Sequence, residues 1–426
     1  MKGVETMKLS SLLVTFLLLP QIAFAITLEE MQKAALDNRS LVKRFEAEID
    51  KSIENIRIAK SGYYPSFDIA YNTYTIDEAT PTEQRENSVF SSALRWNIFS
   101  GFKDKYSISS AESVQKVESF RLLAIEQDIQ LAVSLRYLAV YDQKARLKVA
   151  QDNYKTLEGL FNDSKNRYEV GLIDKNAVLK FKVDFDNANL SVKKEEADLA
   201  KAFNQLSRVV NQEISNDELN FIEFQANPTL ENQDGLEQQM LSQRSELKVL
   251  ESLAQSAEYT VNAQYGDYYP QFDLVGRYRN YDDSFLNGQG EFSDEELRAE
   301  LIMSFNLFNG FQDEAEIARA KADVRSINYD LAELQDELKT TLKDILVDYE
   351  ISLENVEVAR EDITYAEENL RITELKYKEG VQRQIDLLDA VSNLTRAQSN
   401  YVAVVKTVFE NYYRVIRMIE GFPGRK

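Results

Sequence analysis

The sequence has 426 residues, no His and no Cys, and a formal net charge of −21 that arises from 50 Lys and Arg against 71 Asp and Glu. This composition excludes disulfides, thiol nucleophiles, His-bearing zinc sites and Ser-His-Asp triads, and the charge disfavours nucleic acid as a partner. Only 14 Gly and 6 Pro interrupt the chain. We therefore expect long uninterrupted elements, and neither an enzyme nor a metal or cofactor site.

Residues 1–25 have the pattern of a secretory signal peptide. Lysines precede a short apolar run at 9–19, and the sequence Ala-Phe-Ala at 23–25 has the small-x-small pattern of a cleavage site. The run is shorter than the roughly 18 residues of a spanning helix, and no other stretch reaches that length. We expect an exported chain without a helical membrane anchor, and Met1 and Met7 are both open as its start.

The remainder, 26–426, is organised by an internal duplication. The sequence Tyr-Tyr-Pro at 63–65 recurs 205 positions later, whereas the Asn-x-Phe-x-Gly-Phe sequence at 97–102 and the Tyr-x-x-Gly sequence at 168–171 recur 209 positions later. An offset that changes once, by four residues, indicates two homologous halves with one insertion. We place repeat 1 at about 28–210, a connecting, equatorial segment at 211–235, and repeat 2 at about 236–420.

Each repeat begins with a helical segment, 28–61 or 236–265, and continues into a hairpin of alternating polarity, at about 63–100 or 268–309. The apolar sets are Phe67, Ile69 and Tyr71 with Phe90, Leu94, Trp96 and Ile98 in the first hairpin, and Phe272, Leu274 and Tyr278 with Leu297, Ala299, Leu301, Met303, Phe305 and Leu307 in the second. Such alternation is typical of a transmembrane β-strand, although a soluble hairpin packed on a core has the same pattern. Aromatic residues near the hairpin bases favour the membrane interpretation, because such residues form interfacial girdles. They are Tyr63, Tyr64, Trp96, Phe99, Phe102, Tyr268, Tyr269, Phe308 and Phe311.

A long helix is predicted after each hairpin. Residues 103–158 and 312–379 contain neither Gly nor Pro and have apolar residues at steps of three and four. A helix of this size reaches roughly 100 Å, too long for one core, so it must pack against other helices along its length. A glycine turn ends each helix, and return helices follow at about 176–210 and 385–419.

Four predicted strands cannot close a membrane barrel by themselves. Closed barrels begin at about eight strands, and an open edge in lipid leaves backbone groups without partners. Several chains must therefore share one barrel if the strands enter a membrane. Two chains would supply eight strands and leave little lumen, and three chains would supply twelve. The residues alone do not choose between two chains and three.

In this order of elements the chain resembles the TolC family of outer membrane channel proteins, over about residues 28–420. The motifs that carry the resemblance are Asn97-Ile98-Phe99-Ser100-Gly101, Asn306-Leu307-Phe308-Asn309-Gly310, and Tyr377-Lys378-Glu379-Gly380 followed by Ile385-Asp386-Leu387-Leu388-Asp389-Ala390. The resemblance implies an α+β membrane protein, internally duplicated, whose four β-strands per chain contribute to a shared trimeric twelve-stranded β-barrel. A long α-helical coiled-coil barrel is implied as its continuation.

The same resemblance implies an outer membrane channel, the exit duct of a tripartite efflux or type I secretion system, with its helical part in the periplasm. The implied partners are further copies of the chain in a homotrimer, a periplasmic adaptor (membrane fusion) protein, an inner membrane transporter and outer membrane lipid. Drugs, metal ions and whole proteins are all open as the cargo.

Asp386 and Asp389 are the candidate residues for the periplasmic aperture and its selectivity. Their i, i+3 spacing puts both carboxylates on one helix face, and in isolation such a pair more often complements a helix N-terminus. The resemblance implies instead an acidic ring at the periplasmic mouth. Such a ring would attract cations and raise its own pKa values by mutual repulsion.

Relatives hold this mouth shut through polar links between the two helical turns, and the resemblance gives five candidates for the lock: Tyr377, Gln382, Arg383, Asp174 and Asn176. Tyr377 fits the tyrosine of that lock. Gln382 stands where the family often has Arg, and Asn176-Ala177 stands where it often has Thr-Asp. We expect Asp174 and Arg383 to substitute from shifted positions, and the alternative for Asp174 is an N-cap of the return helix.

The turns Val170-Gly171-Leu172 and Glu379-Gly380-Val381 are the expected adaptor-facing tips, and the polar segments 77–87 and 282–296 are expected to face the exterior. The main alternative function is a structural periplasmic coiled-coil tether or adaptor without a pore, which would have no reason for four alternating strands. A glycosidase built on the pair of aspartates would have the carboxylate spacing but no substrate cleft.

Overall fold

The structure is a computed structural model that describes residues 26–80, 85–215, 219–224, 226–230, 235–282 and 294–425. The predicted signal peptide lies outside the described residues, as do parts of the connecting segment and of both segments expected to face the exterior. Within the described ranges the two halves of the chain have the same order of helices and strands.

The first half consists of α1 Leu28–Asn38, α2 Ser40–Lys60, β1 Ser66–Thr75, β2 Glu86–Phe99, α3 Lys103–Glu169 and α4 Lys175–Val210. The second half consists of α5 Leu236–Gln243, α6 Ser245–Gln264, β3 Gln271–Asp282, β4 Asp294–Ser304, α7 Gln312–Lys378 and α8 Gln384–Met418. One-turn 3₁₀ helices, Ser61–Tyr63 and Tyr265–Tyr268, lead into β1 and β3. The duplicated α+β fold is therefore confirmed.

The helical segment that opens each repeat is two helices rather than the single one expected. Arg39 has an extended backbone, with φ −75° and ψ 128°, and separates α1 from α2. Arg244 does the same between α5 and α6, with φ −55° and ψ 117°. Neither Gly nor Pro stands at these breaks, so ordinary breaker signals do not reveal them. The Arg-Ser pair at the same offset in both halves is the trace they leave in the sequence.

The four strands form one antiparallel sheet in the order β1-β2-β3-β4. Residues directly opposite one another share a face, and one row across the sheet runs from Phe67 to Leu94, Gly276 and Ala299. This face contains the predicted apolar sets, whereas the other face carries Arg and Glu side chains. Within the described part of the chain, the outer edges of β1 and β4 have no neighbouring strand.

Strands β2 and β4 end at different places, although their sequences correspond. β2 continues to Phe99 because it pairs with β3 there, Phe99 lying opposite Phe272. β4 ends at Ser304, although the apolar alternation continues to Leu307. No described strand lies beside that side of β4, so residues 305–308 have no ladder to join.

The long helices α3 and α7 contain 67 residues each, which corresponds to roughly 100 Å. α3 packs against α2, α4, α6 and α8, whereas α7 packs mainly against α6 and α8. The largest core surrounds the middle of α3, where the side chains of Val133, Tyr137 and Leu138 are fully buried. None of the helices in the described ranges has the length and apolar character to span a membrane.

Candidate functional site

Two glycine turns form the end of the molecule that is distant from the sheet. Gly171 has φ 76° and Gly380 has φ 75°, the left-handed region in which glycine is least strained. In each turn a backbone hydrogen bond caps the C-terminus of the preceding helix. Leu172 N–H donates to the carbonyl of Arg167 at 2.8 Å, and Val381 N–H donates to that of Lys376 at 2.9 Å. Three apolar side chains in these turns are exposed, those of Val170, Leu172 and Val381.

Asp386 and Asp389 lie in the first turns of α8, close to this end. The Asp386 carboxylate accepts hydrogen bonds from the backbone and the guanidinium of Arg383, all at 3.3 Å. The hydrogen bond from the Arg383 side chain lowers the pKa of Asp386 below the usual aspartate range. Asp389 lines a groove of about 520 Å³ between α3, α4 and α8. Within one chain the two carboxylates share a helix face, and their assembly into a ring stays a prediction.

The lock candidates are dispersed in the chain. Tyr377 is buried, with Arg167 Cζ 5.2 Å from its ring centroid and the Phe181 ring edge-on at 6.2 Å. Its hydroxyl is buried and has no hydrogen-bond partner among the described residues, and burial raises its pKa. Asp174 accepts from Ala177 N–H at 2.9 Å, which is the N-cap role given above as its alternative, and Arg383 pairs with Asp386 rather than with Asp174.

The remaining lock candidates lie where the helical pair of repeat 1, α3 with α4, meets that of repeat 2, α7 with α8. Asn176 is exposed at the start of α4, and Gln382 lies in the turn before α8. A link that the sequence did not reveal lies beside them: Gln384 Nε2 donates to the carbonyl oxygen of Ala177 at 2.6 Å and joins α8 to α4. A backbone acceptor has no sequence signature, so only the structure identifies this contact.

The polar face of the sheet carries a charged network that the alternation pattern did not identify. Arg298 pairs with Glu296 at 2.5 Å and with Glu300 at 3.5 Å, and Arg277 lies 3.7 Å from Glu300. These side chains come from β3 and β4. A sheet with this network on one face and apolar side chains on the other separates two different environments.

The predicted aromatic residues gather where the sheet meets the helices. Trp96 Nε1 donates to the carbonyl of Tyr63 at 3.0 Å. Ring centroids lie 5.1 Å apart for Phe99 and Phe102, 5.7 Å for Phe102 and Tyr269, and 5.3 Å for Phe308 and Phe311. Phe102 and Phe311 adopt positive φ, 68° and 66°, directly after glycines with φ 70° and 73°. Tyr64 and Tyr268 are also exposed.

A buried ionic cluster fixes the two repeats to each other near the middle of the molecule. The Arg417 side chain is buried and pairs with Asp128 at 2.7 Å, Glu246 at 2.6 Å and Glu420 at 2.9 Å. Arg244 donates to the carbonyl of Arg417 at 2.6 Å, and its pKa is lowered by burial and by the adjacent Arg417. Sequence reasoning missed this cluster because Arg417 lies 289 positions from Asp128 and 171 from Glu246, although Glu420 is three positions away.

Comparison with known proteins gives a consistent result. The family model described as outer membrane efflux protein matches residues 32–212 and 236–418. The outer membrane protein TolC of Vibrio cholerae is 22% identical over 388 residues, which is 88% of this chain and 86% of that protein.

Solved structures share the fold. A membrane protein from Pseudomonas aeruginosa has a TM-score of 0.80 at 14% identity, covering 92% of this chain and 93% of that one. The outer membrane protein VceC from Vibrio cholerae has a TM-score of 0.77 at 15% identity, covering 94% of this chain and 97% of that one. The architecture of sheet and long helices described above is therefore that of known outer membrane proteins.

Proposed function

Since the chain belongs to the outer membrane efflux protein family, and is thus a channel protein of the outer membrane and not an enzyme, we propose that it forms a homotrimeric exit duct that docks on a periplasmic adaptor. The adaptor in turn connects the duct to an inner membrane transporter. The single observation that carries this proposal is the sheet, which has one apolar face, one charged face and, among the described residues, two outer edges without a neighbouring strand.

The free edges argue for several copies. A strand edge in lipid leaves backbone N–H and C=O groups without partners, at several kcal/mol for each group. Pairing the β4 edge of one copy with the β1 edge of the next removes every free edge once the ring closes. Three copies give twelve strands, above the minimum of about eight for a closed barrel and wide enough for a lumen.

The orientation of the barrel follows from the two faces. The apolar face, with Phe67, Leu94, Leu274 and Leu301, would contact lipid, and the charged network of Arg277, Arg298, Glu296 and Glu300 would line the lumen. The aromatic residues at the junction with the helices would then lie at the periplasmic boundary of the membrane. A tether without a pore has no use for such a sheet.

The helical end supplies the docking surface. Exposed Val170, Leu172 and Val381 project from the two glycine turns at the end of the long helices. We assign these turns to contact with the adaptor, and Asp386 and Asp389 to an acidic ring just inside the mouth.

Channel function is tested by reconstituting the purified protein into planar lipid bilayers. We expect discrete, cation-selective conductance steps, and the double variant Asp386→Asn, Asp389→Asn should lose most of the selectivity. Asp186→Asn, on the exposed side of α4, is the matched control and should leave selectivity unchanged. Unaltered selectivity in the double variant would remove the aspartates from the mouth, and absence of any conductance would reject the duct.

Docking is tested separately by in-cell photo-crosslinking from Leu172. We expect a membrane fusion protein to be captured, with an inner membrane transporter co-purifying. Val183, an exposed apolar residue on α4 away from the turn, serves as the control position and should not capture the adaptor. Capture of nothing but further copies of the chain from Leu172 would reject docking through this turn.

A further inference from the structure

Within one chain, repeat 1 packs against repeat 2 through a set of helices and strands that we call the internal joint. The equivalent contact between the far sides of the two repeats is largely open in the described part of the chain. Inside, α6 and α8 pack along α3, and β3 pairs with β2. The corresponding partners on the outside would be α2 and α4 with α7, and β1 with β4. In the described part of the chain α2 does not pack along α7, α4 meets α7 only near the Tyr377 end, and β1 and β4 remain unpaired with each other.

We propose that a second copy of the chain fills this open side in a defined register, which is the register of the internal joint shifted by the repeat offsets. We call the resulting contact the outer seam. It rests on the proposed homotrimer and specifies which residues meet in it. The partner is thus a copy of the same chain, presenting its β1, α2 and α4 to β4 and α7.

The offsets can be checked inside the chain before they are applied outside it. Residues of β1 and β3 correspond at 205 positions, and those of β2 and β4 at 209. The observed pair Ser66 and Arg95 then predicts Gln271 opposite Ser304, which is the observed pair in the second hairpin. The two offsets therefore carry strand register from one repeat to the other without error.

Applied to the internal pair of β2 and β3, the same offsets fix the strands of the outer seam. Arg95 lies opposite Val275, so Ser304 should lie opposite Ala70 of the partner subunit, and both residues belong to the polar face. Residues 305–308, which have no ladder within the chain, acquire one in this register.

The same register retains, in the outer seam, a side-chain hydrogen bond of the internal joint. Asn97 Nδ2 donates to Asp273 Oδ1 at 2.8 Å in the internal joint. The corresponding residues are Asn306 and Asp68 of the partner subunit, so donor and acceptor types are both kept. The Asn306 Oδ1 atom already accepts from Phe308 N–H at 3.0 Å, which leaves its amide group oriented to donate.

The helices add an ion pair. Arg417 on α8 binds Asp128 on α3 at 2.7 Å in the internal joint, and the corresponding residues are Arg208 on α4 of the partner subunit and Glu337 on α7. Arg208 and Glu337 are exposed, and neither makes an ion pair within the described part of the chain. The seam would bring these opposite charges together.

Aromatic exposure at the membrane boundary agrees with the same placement. Phe102 and Tyr269, in contact across the internal joint, are 49% and 48% exposed. Their counterparts Phe311 and Tyr64 are 67% and 70% exposed in the single chain. The outer seam would place Phe311 against Tyr64 of the partner subunit and cover both rings.

Two contacts of the internal joint have no equivalent in the outer seam, so we expect the internal joint and the outer seam to differ in strength. The Lys103–Asp267 ion pair corresponds to Gln312 and Gly62, which cannot form one. The hydroxyl groups of Ser110 and Ser256 are hydrogen-bonded at 2.8 Å, whereas the residues at the corresponding positions, Arg319 and Lys51, are both cationic. The experiment therefore uses only positions at which the chemistry is retained.

Disulfide trapping tests the register, because the natural chain has no Cys and directly opposed strand positions have Cβ atoms about 4.5–5.5 Å apart, close to the separation in a disulfide. Asn306→Cys with Asp68→Cys in the full chain should give dimers and trimers on a non-reducing gel that revert to monomers on reduction. Asn97→Cys with Asp273→Cys is the matched internal control and should form a disulfide without joining copies.

Two shifted pairs keep failure of the register distinct from failure of the trimer. Asn306→Cys combined with Ser66→Cys or Ala70→Cys tests registers displaced by two residues on the same face. Stronger cross-linking of either shifted pair, or a trimer by mass in which no pair cross-links, would overturn the seam but keep the trimer. A monomer by mass in detergent would overturn the proposed homotrimer.

Charge reversal provides an independent test on the helices. Arg208→Glu and Glu337→Arg should each reduce the trimer fraction at a given detergent concentration, and the double variant should restore it. Both singles leave the internal Arg417 cluster intact, so the chain itself should still fold. Failure of the double variant to restore the trimer would overturn the ion pair.

Discussion

Tyr377 is the residue at which the contribution of one chain and that of the assembly separate most clearly. Its hydroxyl is buried and unpartnered within the chain, although an unsatisfied buried hydroxyl costs about 1–3 kcal/mol. The residue expected as the tyrosine of a lock could therefore bond to another chain only after a rearrangement that exposes its hydroxyl.

We predict that Tyr377→Phe raises the resting conductance severalfold in planar bilayers and does not lower the thermal unfolding midpoint, because no hydrogen bond within the described chain is lost and an unsatisfied buried hydroxyl is removed. Tyr168→Phe is the matched control, since Tyr168 holds the corresponding position in repeat 1 and is exposed. Equal conductance in the natural protein and the Tyr377 variant would exclude its hydroxyl from the lock.

Asp386 gives a prediction with a defined sign. The hydrogen bond from Arg383 lowers the pKa of Asp386, so its charge, and the pairing that the charge stabilises, is complete above the ordinary aspartate pKa of about 3.9 and is lost only as pH falls through the lowered value. Arg383→Gln should raise the pKa of Asp386, and cation selectivity should then be lost at a higher pH than in the natural protein.

The measurement is the reversal potential across a salt gradient between neutral and acidic pH. Arg371→Gln, which breaks an exposed pair with Glu368 on α7, is the control. Superimposable pH profiles for the natural protein and Arg383→Gln would contradict the assignment of Asp386 to the selectivity of the mouth.

At the residue scale, the features that could be predicted from the sequence are those that depend on residues close together along the chain. The glycine turns and the N-cap role of Asp174 follow from local backbone requirements, and the structure shows both. Most contacts of the Arg417 cluster, and the Gln384–Ala177 bond, could not be predicted, since they join residues between 171 and 293 positions apart.

At the scale of elements, the periodicity of apolar residues was sufficient to predict whether a segment is a helix or a strand and which of its faces is apolar. It was not sufficient to predict the register in which the strands pair. Period-two alternation placed the apolar sets on one face of the sheet, and the structure agrees for Phe67, Leu94 and Leu301. Which residue lies opposite which was not accessible, because two strands of similar alternation fit equally well when displaced by two positions. The breaks at Arg39 and Arg244 were likewise missed.

The strand-to-helix junctions allow the two joints to be compared directly. Gly101 and Gly310 correspond, and both have positive φ, so Ala at either position introduces roughly 1 kcal/mol of backbone strain. A Cβ at Gly101 would also lie 2.2 Å from the Gly266 carbonyl oxygen, whereas a Cβ at Gly310 meets nothing within 4 Å in the described part of the chain.

We predict that Gly101→Ala impairs folding of the chain, with an additional cost of about 1–3 kcal/mol for the steric conflict, and that Gly310→Ala leaves the chain folded. The measurement is the yield of the internal disulfide between Cys substituted at Asn97 and Asp273, together with the thermal unfolding midpoint. Equal loss in the two Ala variants would show that the Gly101–Gly266 approach is relaxed at little cost.

At the scale of the whole molecule, the helices place the two turns at equal depth. Removing seven residues at one level from each of α3, α4, α7 and α8 should shorten the helical part by about 10 Å while nearly preserving the phase of packing. We predict intact trimers and normal single-channel conductance, with adaptor capture from Leu172 reduced.

A control deletion confined to α3 and α4 would leave one turn about 10 Å short of the other. We expect this variant to lose trimers as well as adaptor capture, because α3 beyond the deletion would be displaced by about 10 Å along the unshortened α8. Normal adaptor capture in the matched deletion would contradict a fixed docking depth.

The equal length of α3 and α7 has a further consequence for the cell that carries the protein. Each has 67 residues and starts a few residues after a strand of the sheet, so the turns lie roughly 100 Å from the sheet. A long helix packed on its neighbours neither stretches nor folds back. In the proposed duct, any variation in the separation of the two membranes would therefore be absorbed by the adaptor or the transporter, and the residue count of these helices would fix the depth at which the adaptor docks.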